Sequence, residues 1–277
     1  MTQTQTTNRL TSYFSHPRSD KTFIPFLVIG DPNPEVFLNL VKAIEPYADI
    51  LEFGIPFSDP IADGPVIQSA NQRALQNGIT LEKSFDLLRT IRSFTEKPMV
   101  ILTYANIIGL EPNRHSTIKR LADAGVDAII AADVPIEEAD PFLADLHAVG
   151  MEQIFLVAPT TTESRLQQIV TKALGFLYLV SVKGTTGTRD AVRTETQSTI
   201  SRITSALQKA SVSLPVCVGF GLSKPEHVRE VLSLGADGAI VGSAIIKFIE
   251  DLSLEPLNMI HRITEYIQIM KDATKSI

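Results

Sequence analysis

The chain has 277 residues, 44% of them hydrophobic, with a mean hydropathy of +0.13 and a formal net charge of −6. That is ample material for a large core, yet no apolar run reaches the roughly 18 residues of a membrane helix, and no Lys/Arg cluster is dense enough to follow a nucleic-acid backbone. The single cysteine, Cys217, excludes an internal disulfide and a thiolate metal cluster, and the opening MTQTQTTNRLTSYF lacks both the charged and the apolar region of a signal peptide, so a cytoplasmic protein acting on a small molecule is expected.

Short β-branched runs alternate with amphipathic stretches of helix length. The runs are Phe23–Ile29, Asp49–Phe53, Pro98–Thr103, Asp127–Ala131, Gln153–Val157, Phe176–Ser181, Pro215–Gly219 and Gly238–Val241. Most are continuous apolar blocks, as parallel strands covered on both faces require. Helices are predicted at roughly 34–46, 65–77 with 81–95, 114–124, 137–149, 162–174, 196–210 and 225–234. Repeated βα units with eight strands point to one closed α/β barrel, a (β/α)8 TIM barrel spanning 1–277, and barrels of roughly 250 residues fold as single domains. An open dinucleotide-binding sheet would need G-x-G-x-x-G after its first strand; Ile29-Gly30-Asp31-Pro32 stands there instead. No linker or charge block marks a domain boundary. The first ~15 residues and a final helix at about 256–273 fall outside the eight units and are expected to plug or buttress the barrel.

In such a barrel, chemistry belongs at the C-terminal ends of the strands and in the loops that follow. In the second strand Glu52 shares a face with Ile50, since side chains alternate. If that face is the interior, Glu52 is a carboxyl among apolar groups. The alternative is a structural carboxylate paired with Lys or Arg, but no basic residue follows it before Arg73. Desolvation without a cation raises a carboxyl pKa toward neutrality, where it can both give and take a proton. The loop after this strand, Gly54 to Pro65, is stiffened by prolines and carries Asp59 and Asp63. Both suit turn capping, and Asp63 before Gly-Pro also suits a helix N-cap.

The loop after the sixth strand, Ser181 to Asp190, is small and flexible in composition; it reads as a lid or as an ordinary surface loop. After the seventh strand comes Gly219-Phe220-Gly221, and after the eighth Gly242-Ser243-Ala244 opens a short helix through about Glu250. Backbone N–H groups at such glycines and at a helix N-terminus form the usual phosphate site of this barrel class. None of His16, His115, His147, His227 and His261 falls at a strand end, which argues against a metal triad or a histidine base. Cys217 lies within the seventh strand and reads as core. Lys183 and Lys97 look solvated, which argues against a Schiff base. The residues alone thus describe a metal-free barrel that grips a phosphate ester and moves protons with carboxylates.

The stretch Leu51 to Gln68, LEFGIPFSDPIADGPVIQ, closely resembles the signature of tryptophan synthase alpha subunits. The likeness continues through Pro25-Phe26, Gly30-Asp31-Pro32, Tyr104-Ala105-Asn106, Ala132 to Glu138, Gly175-Phe176 to Tyr178, Gly219-Phe220-Gly221 and Gly242-Ser243-Ala244. The resemblance implies retro-aldol cleavage of indole-3-glycerol phosphate to indole and glyceraldehyde 3-phosphate. It implies Glu52 as proton shuttle and Asp63 as partner of the indole N–H. It places Phe26, Leu102, Ile130 and Phe220 in the indole pocket with Tyr178 nearby, although core packing would use the same side chains. Gly187, Gly221, Gly242 and Ser243 resemble the phosphate contacts. The family lid motif is usually Gly-Val-Thr-Gly; here it is Gly184-Thr185-Thr186-Gly187, so Thr186 and Gly187 are kept.

The resemblance further implies no cofactor in this chain, and an alpha2beta2 complex with a pyridoxal-phosphate beta subunit. The partner would touch Pro56–Asp59 and the segment near Asn106. Three alternatives remain at this point: a stand-alone lyase releasing free indole, a catalytically silent activator of a beta subunit, and another phosphate-binding barrel enzyme such as an isomerase.

Overall fold

The computed structural model describes residues 8–109, 113–180, 189–219 and 221–275. Its strands are β1 (Thr22–Val28), β2 (Leu51–Gly54), β3 (Met99–Thr103), β4 (Ala128–Ala131), β5 (Glu152–Gln153), β6 (Phe155–Val157), β7 (Leu177–Val180), β8 (Val216–Gly219) and β9 (Gly238–Val241). All pair in parallel, in the order β5-β4-β3-β2-β1-β9-β8-β7-β6. The two ends of this order are consecutive in sequence, separated only by Ile154, whose N–H donates to Ile129 O at 2.9 Å. The predicted fifth strand is therefore one barrel position in two pieces. β5 hydrogen-bonds β4 and β6 hydrogen-bonds β7, so the chain itself closes the ring of eight positions.

The helices are α1 (Arg9–Ser15), α2 (Pro34–Ile44), α3 (Pro65–Gln76), α4 (Leu81–Arg92), α5 (Ala105–Ile108), α6 (Asn113–Asp123), α7 (Asp140–Ala148), α8 (Glu163–Lys172), α9 (Arg189–Ala210), α10 (Pro225–Ser233), α11 (Ser243–Leu252) and α12 (Pro256–Asp272). Several start where local chemistry directs. The side chains of Asn33, Thr80 and Thr162 each accept the N–H three residues on, and Pro34, Pro65, Pro225 and Pro256 occupy first turns. Two helical features differ from the sequence reading. α9 begins at Arg189 rather than near 196, and the one-turn helix α5 follows β3.

Strand register decides which side chains face inward. Phe26, Glu52, Val100 and Ala128 are Cα partners in one row across β1 to β4, so they share a face. That face is the barrel interior. There Ile24, Ile50, Val100, Ala128, Ile130, Ile154, Phe176, Tyr178, Cys217 and Ile240 form a core of their own. The alternate residues, such as Phe23, Phe53, Ile101, Ile129 and Leu179, pack outward with the helices in a larger core. Leu10 and Tyr13 of α1 belong to the interior core, so the predicted N-terminal plug closes the barrel floor. α12 instead buttresses the outside through Met259, Ile263, Ile267 and Met270.

The floor is fastened by three aspartates, of which Asp49 and Asp127 open predicted strands and Asp237 stands just before one. Asp49, Asp127 and Asp237 precede β2, β4 and β9. Each accepts the N–H that starts the neighbouring strand, at Phe23, Met99 and Val216 respectively, at 2.8–3.0 Å. Lys271, Arg92 and Lys21 supply the matching cations. Lys97 belongs to this face as well. It is more desolvated than the sequence suggested: burial lowers its pKa, while its Nζ donates to the carbonyls of Glu45 and Ala48. It lies at the end of the barrel opposite the candidate chemistry.

Candidate active site

At the upper end the interior side chains are less completely buried. Leu102, Leu156 and Val180 are only partly buried, in contrast to the interior residues one step below them. Glu52 stands in this interior, 1% exposed, and its Oε2 has no hydrogen-bond partner. No ion pair to Glu52 occurs among the described residues, so the structural carboxylate–cation alternative is not what forms. Desolvation, followed by the negative charge of Asp63, pushes the Glu52 pKa up to about 8. At neutral pH it is a protonated acid able to donate.

Asp63 sits in the loop after β2, half-buried, facing the same space. Burial raises its pKa to about 6, against the opposing effect of hydrogen bonds from Tyr104 and Asn71. It does not cap α3, as its sequence context had allowed: the cap position is Gly64, without a side-chain bond. Asp59 is exposed and accepts a hydrogen bond from Ser58, in keeping with a turn role. The two carboxyls that face the cavity are therefore Glu52 and Asp63. Asp63 titrates first, and its charge helps keep Glu52 protonated.

Apolar walls surround them. Phe26, Ile130 and Tyr178 are buried and Leu102 is half-buried. The Phe26 ring lies between two glycines: a Cβ on Gly54 would stand 2.9 Å from its Cζ, and one on Gly242 would stand 3.0 Å from its Cδ1. Likewise a Cβ on Gly219 would meet Tyr178 Cε1 at 2.6 Å. The glycines give these rings their places, which a larger residue would occupy. Burial raises the pKa of the Tyr178 hydroxyl, and the charge Glu52 carries once it ionises raises it further.

After β9, two barrel positions from β2, Gly242 forms the N-cap of α11, with Ser243 exposed at its first turn and no side-chain cap in place. Ile245 and Ile246 N–H bond back to Gly242 O, while the first N–H groups of a helix have no partner within it. Their dipole favours an anion. Gly221 stands half-buried near the end of β8 with φ +75°. Thr186, Gly187 and Phe220, together with the lid stretch Ser181–Thr188, lie outside the described residues.

Two residues of this site escaped the sequence reading as functional groups. Tyr104 had been noted only as part of a motif, yet its hydroxyl accepts the Ala62 N–H at 3.2 Å and hydrogen-bonds Asp63. Asn71, a polar residue in the middle of an amphipathic helix, is 3% exposed and its Nδ2 lies 3.4 Å from Asp63 Oδ2. The available signal was periodicity: Asn71 falls on the buried stripe of Ile67, Ala70 and Ala74. All five histidines lie in helices or at the end of α1, and no group of three His, Cys, Asp or Glu able to hold a metal occurs among the described residues.

Known proteins resemble this arrangement over nearly its whole length. A family model described as tryptophan synthase alpha chain matches residues 14–275. The tryptophan synthase alpha chain of Methanothermobacter thermautotrophicus is 46% identical over 252 residues, 91% of either chain. That of Methanoregula boonei is 42% identical over 96% of this chain and 98% of its own. The solved tryptophan synthase subunit alpha from Legionella pneumophila superposes with a TM-score of 0.85 at 32% identity, over 98% and 99% of the two chains. A chain of the tryptophan synthase a2b2 complex from Pyrococcus furiosus does so at 0.81 and 36%, over 91% and 98%.

Proposed function

The chain belongs to the tryptophan synthase alpha chain family, and from that premise we propose how its residues divide the cleavage of indole-3-glycerol phosphate into indole and glyceraldehyde 3-phosphate. The activity is a carbon–carbon lyase reaction, and the carbon to be released must first become a leaving group. Glu52, protonated in its apolar setting, donates its proton to indole C3. Asp63, ionised, accepts the hydrogen bond of the ring N–H and stabilises the positive charge that appears there. Glu52, now a carboxylate, takes the proton of the glycerol hydroxyl beside the scissile bond. The carbonyl of the aldehyde forms, the carbon–carbon bond breaks, and its electron pair returns to the ring. Indole keeps the donated proton at C3 and Glu52 ends protonated, so the cycle closes without an external acid.

Phe26, Leu102, Ile130, Tyr178 and Phe220 are assigned to the indole ring. Thr186, Gly187, Gly221, Gly242 and Ser243 are assigned to the phosphate side and the closing loop. What carries the reading is the buried Glu52, with no cation near it among the described residues and a second carboxyl close enough to raise its pKa. No cofactor is needed for the steps above. Pyridoxal phosphate is expected on the beta subunit, to which indole passes in an alpha2beta2 assembly. We read 1–277 as one barrel domain, supported by the single ring of strands with α1 and α12 packed onto it. No helix among the described residues is long and apolar enough to cross a membrane, and we read the enzyme as cytoplasmic.

The test is an indole-release assay with and without a beta subunit. Glu52→Gln should lower turnover by about 10²–10⁴-fold while substrate still binds. Near-wild-type turnover in that variant would remove the shuttle assignment. Strong stimulation by the beta subunit is expected; high activity indifferent to it would favour the stand-alone lyase.

A further inference from the structure

We propose that Asn71 is a positioning residue for the cleavage: its buried carboxamide holds the loop after β2 at its near end and presents an N–H to Asp63 at its far end. The proposal rests on the role given to Asp63 above. Asn71 projects from the second turn of α3 and is 3% exposed. Its Oδ1 accepts the Phe57 N–H at 3.2 Å. Its Nδ2 donates to Ile67 O at 3.0 Å and lies 3.4 Å from Asp63 Oδ2. The orientation of the amide follows from these partners. Turning it over would set an NH2 group against the Phe57 N–H, and its oxygen against a carbonyl and a carboxylate. Each polar atom of the amide is thus in use, and one of them is spent on a group that faces the reacting ring.

A buried Asn in a helix stripe otherwise filled by Ile67, Ala70 and Ala74 has an ordinary explanation as a satisfied structural amide. The loop argues for more. Between Phe57 and Asp63 it is exposed at Ser58, Asp59, Ile61 and Ala62. Within the described residues its fastenings by side chains of other elements are Asn71 at Phe57, the Tyr104 hydroxyl at Ala62, Gln68 Nε2 at the Asp63 carbonyl at 2.8 Å, and Asn71 and Tyr104 at the Asp63 carboxylate, the group the chemistry uses. Asn71 therefore fixes where the Asp63 carboxylate stands and supports its ionised form. At 3.4 Å it acts more by placement than by strong charge stabilisation. The titratable groups that face Asp63 are Glu52 from β2, Tyr104 after β3 and Tyr178 from β7. None is a cation among the described residues, so there the neutral N–H of Asn71 and the Tyr104 hydroxyl are what keep the Asp63 pKa from rising further.

The experiment is the pH profile of indole release by the full chain with its beta subunit, for Asn71→Asp and Asn71→Ser. Asn71→Asp keeps the acceptor for Phe57 but turns the donor edge into a like charge. Asn71→Ser shortens the side chain without adding charge and decides the matter if the first variant fails to fold. Each should lower kcat at least about 10-fold, leave KM within about threefold, and move the acid limb to higher pH. The alkaline limb, set by Glu52 after Asp63 has ionised, should stay in place; the substrate's own phosphate titrates identically in all variants. The same substitutions placed in an Asp63→Asn chain should cost less than about threefold, since neighbouring groups that act through one another are not additive. A purely structural role predicts a lowered melting temperature with unmoved limbs and an equal cost in both backgrounds; that result overturns the proposal. If Asp63→Asn alone left turnover intact, the underlying reading of Asp63 would fall instead.

Discussion

Glu52 illustrates a group whose chemical usefulness and energetic cost have one source. Its pKa in the folded chain is about 8 against 4.5 for a free carboxyl. Below pH 4.5 both folded and unfolded chains hold the proton and no penalty exists. As pH rises from there toward 8, the unfolded chain releases the proton while the folded chain retains it, so stability falls and the loss is complete above pH 8. The full loss is on the order of a few kcal/mol. Glu52→Gln should therefore melt higher than the parent chain, with the advantage larger at pH 9 than at pH 5, as thermal unfolding at the two values will read. An equal difference at both would mean that Glu52 is not desolvated. In the proposed mechanism Asp63 acts ionised and Glu52 protonated. That predicts a bell-shaped profile with limbs near 6 and near 8 in the free enzyme, measurable from kcat/KM.

At the scale of elements, the helix that opens at Gly242 and is proposed to meet the phosphate also abuts the ring proposed to line the indole pocket. A Cβ on Gly242 would press on the Phe26 ring at 3.0 Å. Gly242→Ala should accordingly weaken both indole and glycerol 3-phosphate binding, read by calorimetry; unchanged indole affinity would indicate that Phe26 yields without cost. α1 has a separate task at the opposite end. Leu10 is wholly buried there among interior side chains, so Leu10→Ala should destabilise the fold by about 2–5 kcal/mol. Denaturant midpoints will test this, with KM for the phosphate ester expected to stay within about twofold because the floor and the mouth lie at opposite ends.

For the whole molecule, the division between floor and mouth governs which surfaces remain free. The floor is locked by aspartates bonded to strand ends. At the mouth, beside Asp63, Ile61 stands 82% exposed, and the ring of Phe57 packs 5.2 Å from that of Tyr104. A large apolar side chain so exposed on the loop expected to meet the beta subunit predicts that Ile61→Asp reduces stimulation of indole release by that subunit about 10-fold or more, with basal release by the isolated chain unchanged. The strands and most helices were legible in the sequence, since apolar periodicity is a local property that a parallel strand or a helix stripe imposes on its own residues. Glu52 and Asp63 stood out for the same reason, as carboxyls at the end of an apolar run and in the loop beyond it. Other features depended on residues far apart in the chain. These were the break at Ile154 through which the barrel closes, the aspartates of the floor, the displacement of Asp63 from a capping role, and its grip by Tyr104 and Asn71. Pattern tells which face of an element is buried, whereas the partners of a buried polar group, and hence its proton affinity, are set by whatever distant segments the closed ring brings against it.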